Sequence, residues 1–354
     1  MATFKKISGS GKWEAQICVR GVRKSRTFST KREAQAWAFN LEESIRSGSL
    51  ESNQTLREAL EEYRNKITPT KRGRVFEDRR IRYYENDPIA DMRLTDLTPA
   101  IFEEFLERRL SIPSARTGRL LARATAVRDI NVLSAVMHWC IRKGYLLRNP
   151  LEGVAIPHPE PHRERVATDE EIEKICLIAG WDPKTAPVNA TQRTAAAFLF
   201  SCLTGMRAGE ILAIERSWHE TPNVLRIPTE ATKTLLGRDV ALSSKAEALL
   251  NQIESLGFEP NVFGLAHATR EALWGKIRDK AGLGAVRDSK GRVIREALRF
   301  HDGRATFATW AAMPGPDGAP RMDVLALARQ LGHRDLKMLQ RYYRPTAAQL
   351  ASRL

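Results

Sequence analysis

Between Ala155 and Arg163 the chain reads Ala-Ile-Pro-His-Pro-Glu-Pro-His-Arg, with proline at alternate positions from Pro157 to Pro161. Proline has no amide hydrogen and disfavours the helical conformation in the residue before it, so neither a helix interior nor a central strand passes through this stretch. The segment is expected to run extended, as a linker over 155–167. A chain of 354 residues broken in this way divides into two or three domains instead of sharing one core. His158 and His162, on a Pro-rich strand without Cys or further His, are expected to be solvated and not metal-bound.

Both sides of the break carry helix signals. Residues 55–154 are expected to be all-helical. The stretch Thr55-Leu56-Arg57-Glu58 is a capping box, Pro99 follows Thr98 at a first helical position, and a long helix from about Arg119 to Lys143 is stopped by Gly144 and Asn149-Pro150. Leu133, Val136 and Trp139 belong to its core by spacing. The helices also carry Arg72, Arg74, Arg79, Arg80, Arg82, Arg116, Arg119, Arg123 and Arg128, about half of which are expected to lie against a phosphate backbone. After the linker, Thr168-Asp169-Glu170-Glu171 caps a further helix that opens the last domain, 168–354.

Residues 1–50 form a separate small unit. Trp13 to Val19 and Lys24 to Phe28 are predicted as strands around a Gly21 turn. A helix follows, capped by Thr30 with Glu33, its apolar face formed by Ala34, Trp37, Ala38 and Leu41, and ended by Gly48. The segment holds ten Lys or Arg against four Glu, and Arg23, Lys24 and Arg26, at and just before its second strand, are candidate DNA contacts. The fold class expected from these pieces is multidomain and mainly α with small β-sheets.

Charge narrows the partners. The chain has 57 Lys and Arg against 42 Asp and Glu, a formal net charge of +15, which favours polyanions and fast, salt-sensitive association. No apolar run approaches the ~20 residues that span a bilayer and Met1 to Lys6 lack an apolar signal core, so a cytoplasmic, DNA-associated protein is expected, with no membrane partner. Cys18, Cys140, Cys176 and Cys202 have no metal-ligand spacing; buried thiols of a reducing compartment are the expectation.

The reactive groups are concentrated in the last domain: Arg207, Lys233, His301, Arg304, His333 and Tyr342. Attack on a phosphodiester builds charge on the phosphoryl oxygens, which fixed cations must neutralise. Arg offers a permanent planar fork for two oxygens; Lys is a point charge able to give up its proton. A phenol with a pKa of ~10 needs nearby cations and imidazoles before it can act as a nucleophile. The set holds no acidic cluster, so the chemistry expected requires neither metal nor cofactor.

These residues fall in four local contexts. In Leu203-Thr204-Gly205-Met206-Arg207-Ala208-Gly209-Glu210, Gly205 breaks the apolar helix of Ala195 to Leu203 and starts a new one at Arg207, with Glu210 one turn on to orient it. Lys233 lies in Thr232-Lys233-Thr234, near the turn of a β-hairpin running from Leu225-Arg226-Ile227 to Val240-Ala241-Leu242. His301-Asp302-Gly303-Arg304 places His and Arg on one helical face. Leu331-Gly332-His333 is followed nine residues later by Tyr342.

Four such boxes in this order resemble the catalytic domain of the tyrosine recombinases, the family of phage-type integrases and Xer-like resolvases. The resemblance is close from Thr168 to the end and looser before it. Two departures are Ala305, where many relatives carry another His, and the Pro/Gly-rich Met313 to Pro320, an enlarged loop between the third and fourth boxes. The resemblance implies an arm-type DNA-binding domain at 1–50, a core-binding domain at 55–154 and an α+β catalytic domain. It implies attack by Tyr342 to give a 3′-phosphotyrosine, phosphate binding by Arg207 and Arg304, protonation of the leaving oxygen by Lys233, and support from His301 and His333. It further implies double-stranded DNA attachment sites and a homotetramer on two duplexes, with a DNA-bending protein and a directionality factor as candidate accessory partners. An apolar stripe of Ala347, Ala348, Leu350, Ala351 and Leu354 is a candidate for docking on a neighbouring protomer. Two alternatives stay open from the residues: a type IB topoisomerase, and a non-cleaving DNA-binding protein of the same fold.

Overall fold

The computed structural model describes residues 2–7, 11–19, 22–47, 53–113, 118, 120–156, 163, 165–232, 237–289, 292–315, 318–333, 335–340 and 342. It divides into two compact units, Met1–His162 and Arg163–Leu354. The Pro-alternating segment supplies the boundary, although residues 157–162 themselves lie outside those described.

The first unit begins with an antiparallel sheet of β1 (Ala2–Lys6), β2 (Trp13–Val19) and β3 (Val22–Phe28), in that order, followed by α1 (Lys31–Ser47). Thr30 and Glu33 exchange hydrogen bonds at the start of α1, as a capping box should. Strand alternation sorts the side chains. Ala15 and Ile17 are buried, and their cross-strand partners Arg26 and Lys24 share their face; Arg23 and its partner Cys18 point to the other. Burial therefore lowers the pKa of Lys24, while Cys18 is exposed, against the expectation of four buried thiols. Phe28 and Trp37 join strand to helix, with ring centroids 5.4 Å apart.

The helical part comprises α2 (Leu56–Lys66), α3 (Arg74–Glu85), α4 (Pro99–Ser111) and α5 (Arg123–Lys143). The Thr55–Glu58 box caps α2, which buries Leu56, Ala59, Leu60 and Tyr63 at helical spacing. Thr98 caps α4 with Pro99 in its first turn, and Gly144 ends α5 in the left-handed region at φ 84°. The expected start near Arg119 moves to Arg123 because Ala122 is extended. Leu133, Val136 and Trp139 are buried as anticipated, and Tyr63 meets Trp139 edge-on at 5.7 Å. Asp129 is fully buried, accepts the Tyr84 hydroxyl at 3.0 Å and pairs with Arg80 and Arg109 at 3.2 Å each. Arg80 thus serves the core, and Arg82 pairs with Asp78 at 2.9 Å.

The second unit is built around α7 (Ala190–Thr204), preceded by α6 (Asp169–Ile178), whose Thr168–Glu171 capping box is formed. The elements that follow are α8 (Ala208–Leu212), the antiparallel hairpin β4 (Val224–Ile227) and β5 (Arg238–Ala241), α9 (Ser244–Glu254), α10 (His267–Lys280), a short exposed hairpin β6 (Val286–Arg287) and β7 (Val293–Arg295), α11 (Asp302–Ala312) and α12 (Val324–Leu331). Helices α6, α8, α9, α10 and α11 all pack on α7, which buries Ala195, Ala196, Ala197, Phe198 and Phe200. Full burial of a side chain such as Phe198 contributes ~1.5–3 kcal/mol. A smaller cluster of Phe307, Ala308, Ala311, Leu327, Leu331 and Leu339 receives Tyr342 on its flank. The Pro/Gly loop folds back on itself, Gly315 donating to the Ala319 carbonyl at 2.6 Å, while residues 316–317 lie outside the described set. The fold class is the expected one, mainly α with three small sheets among the described residues.

Candidate active site

The site forms where α7 ends. Gly205 caps α7 in the left-handed region at φ 71°, which only glycine enters freely, and the chain turns to put Arg207 at the head of α8. Glu210 lies one turn on, accepting the Arg207 backbone N–H at 3.0 Å through Oε2 and its Nη1 at 3.0 Å through Oε1. The orienting contact expected from the Arg-x-x-Glu spacing is therefore present.

Glu210 is only 3% exposed. Burial alone would raise its pKa, but the Arg238 hydrogen bonds and charge, with Arg207 behind them, hold the carboxyl down at about 2. Arg238 at the start of β5 meets both oxygens, Nη1 to Oε1 at 3.1 Å and Nη2 to Oε2 at 2.8 Å. Its Nε donates to the Gln330 carbonyl at 3.1 Å. Gln330 in turn pairs with β5 in strand fashion: its Oε1 accepts from Ala241 N at 3.0 Å and its Nε2 donates to Ala241 O at 3.0 Å and Thr204 O at 3.1 Å. Sequence reasoning missed Arg238 and Gln330. The one signal pointing to Arg238 was that a carboxylate buried beside an Arg needs further donors, and spacing does not say which.

Arg304, in the first turn of α11, is 4% exposed. Its Nη1 donates to the Gly205 carbonyl at 2.6 Å; its Nη2 donates to the Leu331 carbonyl at 2.6 Å and to His333 Nε2 at 2.8 Å. Burial first, then Arg207, brings its pKa down to about 9, leaving it charged at neutral pH. A guanidinium has no acceptor, so His333 Nε2 must accept, which makes this imidazole neutral with its proton on Nδ1. Arg207 Nη1 also approaches the Leu331 carbonyl, at 3.5 Å. The C-terminal carbonyls of α12, left without helical partners, thus hold the arginines at the negative end of the helix dipole.

His301 immediately precedes α11 and its side chain reaches solvent, whereas Arg304 one turn on is buried. Crowding by surrounding atoms, then the charges of Arg304 and Arg207, lower the His301 pKa, so that it is neutral at neutral pH. Tyr342 follows the last 3-10 turn, Leu336–Leu339, and donates its backbone N–H to the Leu339 carbonyl at 2.9 Å. Its side chain packs against the cluster that contains Leu331, whose carbonyl Arg207 and Arg304 reach. Five of the seven residues expected at the site, Arg207, Glu210, Arg304, His333 and Tyr342, therefore come together, with His301 in the same field. Lys233 lies outside the described residues; the hairpin that carries it is present, from Thr232 on one side to Gly237 on the other. Among the other histidines, His219 is held between Glu247 at 3.0 Å and Glu254 at 3.2 Å.

Of the residues named for DNA contact, Arg23, Arg26, Arg72, Arg74 and Arg123 are exposed, Lys24 is half-buried, and Arg119 lies outside the described residues together with Arg116 and the apolar tail from 347. Among the described residues no cluster of His, Cys, Asp or Glu suits a metal ion, and no helix is long and apolar enough to cross a membrane.

Guanidiniums, an imidazole and a phenol gathered in this way are groups able to neutralise and attack a phosphodiester. Residues 166–349 match the sequence model of the phage integrase family. A Haemophilus influenzae protein provisionally named integrase/recombinase is 31% identical over 99% of this chain and 89% of its own length. The shufflon-specific DNA recombinase of Escherichia coli is 26% identical over 85% of this chain and 71% of its own. In fold, the chain is similar to the Tn1549 transposon integrase in complex with a circular intermediate DNA, with a TM-score of 0.63 and 15% identity over 85% of this chain and 99% of that one. It is also similar to lambda integrase in a tetramer bound to a Holliday junction, with a TM-score of 0.62 and 17% identity over 96% and 94% of the two chains. The chain belongs to the phage integrase family and is a tyrosine site-specific recombinase.

Proposed function

We propose that Tyr342 attacks a phosphodiester of double-stranded DNA and is joined to it as a 3′-phosphotyrosine. Arg207 and Arg304 hold the non-bridging oxygens, and Lys233 gives its proton to the departing 5′-oxygen. His301 and His333, both neutral, act as hydrogen-bond donors or proton carriers for the phenol, and Glu210 orients Arg207. The ester conserves the bond energy, so a 5′-hydroxyl from a second duplex reverses the step without metal or nucleotide. The observation that carries this reading is the convergence at the end of α12: the Arg207 and Arg304 guanidiniums both reach the Leu331 carbonyl, the His333 imidazole is hydrogen-bonded to Arg304, and Tyr342 packs against the cluster that contains Leu331.

The biological reading is an integrase that inserts or excises a phage or other mobile element at DNA attachment sites. Residues 1–50 serve as an arm-type DNA-binding domain, 55–154 as the core-binding domain and 168–354 as the catalytic domain. The active form is a homotetramer on two duplexes, with a DNA-bending protein and a directionality factor as accessory partners. Solved relatives bound to DNA support this, as do Arg74 and Arg123, each the first residue of a helix, where the dipole favours an anion. Arg23, Lys24, Arg26, Arg72 and Arg119 complete the proposed DNA contacts.

A nicked suicide duplex tests the chemistry. The intact chain and Tyr343→Phe should become covalently attached to it, and Tyr342→Phe should not; the reverse pattern would overturn the assignment. Joining of two different duplexes separates a recombinase from a topoisomerase, which would only reseal its own strand.

A further inference from the structure

Three guanidiniums, those of Arg207, Arg238 and Arg304, share a site that holds one buried carboxylate. Their mutual repulsion is offset by Glu210 and by the carbonyls of Gly205, Gln330 and Leu331, the last two at the negative end of α12. Arg207 and Arg238, the two that share Glu210, differ in what they have left to offer. Arg207 is 29% exposed and keeps part of its fork open, whereas Arg238 is 10% exposed and spends Nε, Nη1 and Nη2 on Gln330 and Glu210. Arg238 has no open edge for a phosphate. It is also pressed against the turn that leads to His333: a Cβ built on Gly332 would stand 3.0 Å from Arg238 Nη1 and 3.1 Å from its Cζ.

We infer that Arg238 is a positioning residue for strand cleavage: it locks Glu210, and through Glu210 the Arg207 guanidinium, where the phosphodiester is received. This rests on the recombinase reading given above. Without Arg238, both oxygens of Glu210 have Arg207 alone as cationic partner, and that side chain is free to swing with its carboxylate. The gap between β5 and the C-terminal end of α12 loses its one side chain bonded to both Glu210 and Gln330. A misplacement of about 1 Å at a reacting phosphate is enough to cost about 100-fold in rate.

The effect has a signature in pH. Glu210 faces Arg207 of α8 and Arg238 of β5, with Arg304 and His301 from α11 in the same field. With Arg238 present the carboxyl stays ionised throughout the neutral and mildly acidic range. With Arg238 removed, burial is opposed by fewer cations, and protonation of Glu210 moves up into that range. His301 and His333 are present in both proteins, so a difference between the profiles belongs to Glu210.

The test uses the full chain with Arg238→Ala, Arg238→Lys and Glu210→Gln/Arg238→Ala on a nicked suicide duplex. Single-turnover formation of the covalent adduct is followed from about pH 5 to about pH 8, beside duplex affinity and thermal unfolding. Arg238→Ala should bind the duplex within about 2-fold of the parent yet cleave about 10-fold to 100-fold more slowly, with an acidic limb that the parent lacks. Arg238→Lys, which keeps the charge but not the fork, should recover part of the rate. The double variant should be slow and lose the acidic limb. Cleavage by Arg238→Ala at the parental rate would overturn the inference. So would a loss cured by saturating DNA, which would make Arg238 a DNA contact, or a loss that follows the unfolding midpoint with the parental pH profile. If the parent itself forms no Tyr342-dependent adduct, it is the recombinase reading that fails.

Discussion

Replacing Gly205 by Ala should damage stability and chemistry together, by amounts that separate from a matched control. Gly205 sits at φ 71°, and a Cβ there would stand 2.5 Å from Leu331 Cδ2 and 2.6 Å from Phe307 Cδ1. Packed carbons approach to ~3.5–4.0 Å, so the methyl overlaps two neighbours by about 1 Å each. A left-handed L-residue costs ~1–2 kcal/mol and overpacking a filled core ~1–3 kcal/mol, so Gly205→Ala should destabilise the second unit by about 2–5 kcal/mol. Gly180, at φ 65° with nothing within 4 Å, isolates the backbone contribution, and Gly180→Ala should cost only ~1–2 kcal/mol. Urea unfolding of the full chain, followed by tryptophan fluorescence, compares the two. The Gly205 carbonyl also anchors Arg304 at 2.6 Å, so Gly205→Ala should slow adduct formation even where it remains folded, and Gly180→Ala should not. Equal destabilisation by the two substitutions would refute the crowding argument.

Lys233→Ala should slow cleavage by about 100-fold or more, and a substrate whose leaving 5′-oxygen is replaced by sulfur should restore much of the rate; equal losses on both substrates would assign Lys233 another role. A chain beginning at Thr55 should still form the adduct on a core-site duplex, but its affinity should fall less steeply with salt, since fewer counterions are released; an unchanged salt slope would remove residues 1–50 from the DNA interface. The Glu210 carboxyl is held at about 2, below its ordinary value, so its contribution to stability is complete above about pH 5 and is lost as pH falls towards 2. Acid titration of the parent against Glu210→Gln should therefore show a gap in stability at neutral pH that closes in acid, and a gap independent of pH would contradict the assignment.

The parts legible in the sequence were those governed by neighbours in the chain. The boxes of Thr30 with Glu33, Thr55 with Glu58 and Thr168 with Glu171 mark helix starts because donor and acceptor are three residues apart, and Gly205 marks a stop because one torsion angle decides it. Strand β1 escaped because Ala2 to Lys6 has a single large apolar side chain, and β6 and β7 because they are only two and three residues long and bury none of their side chains. Arg23 could have been separated from Lys24 and Arg26 by strand alternation, which puts it on the opposite face. At the site, Arg207 and Glu210 were paired correctly by spacing. Arg238 lies 28 residues from Glu210, and Gln330 lies 89 from Ala241, so both contacts exist only once the second unit has closed.

Gln330 also does something for the sheet that has no bearing on DNA. Strand β5 pairs with β4 on one side only, and the outward N–H and C=O of Ala241 are the open edge at which a strand from another molecule could be added. The Gln330 amide occupies both groups, one donor and one acceptor, as a single residue of a third strand would. One route to edge-to-edge aggregation is thereby closed at this position, by a side chain instead of a strand.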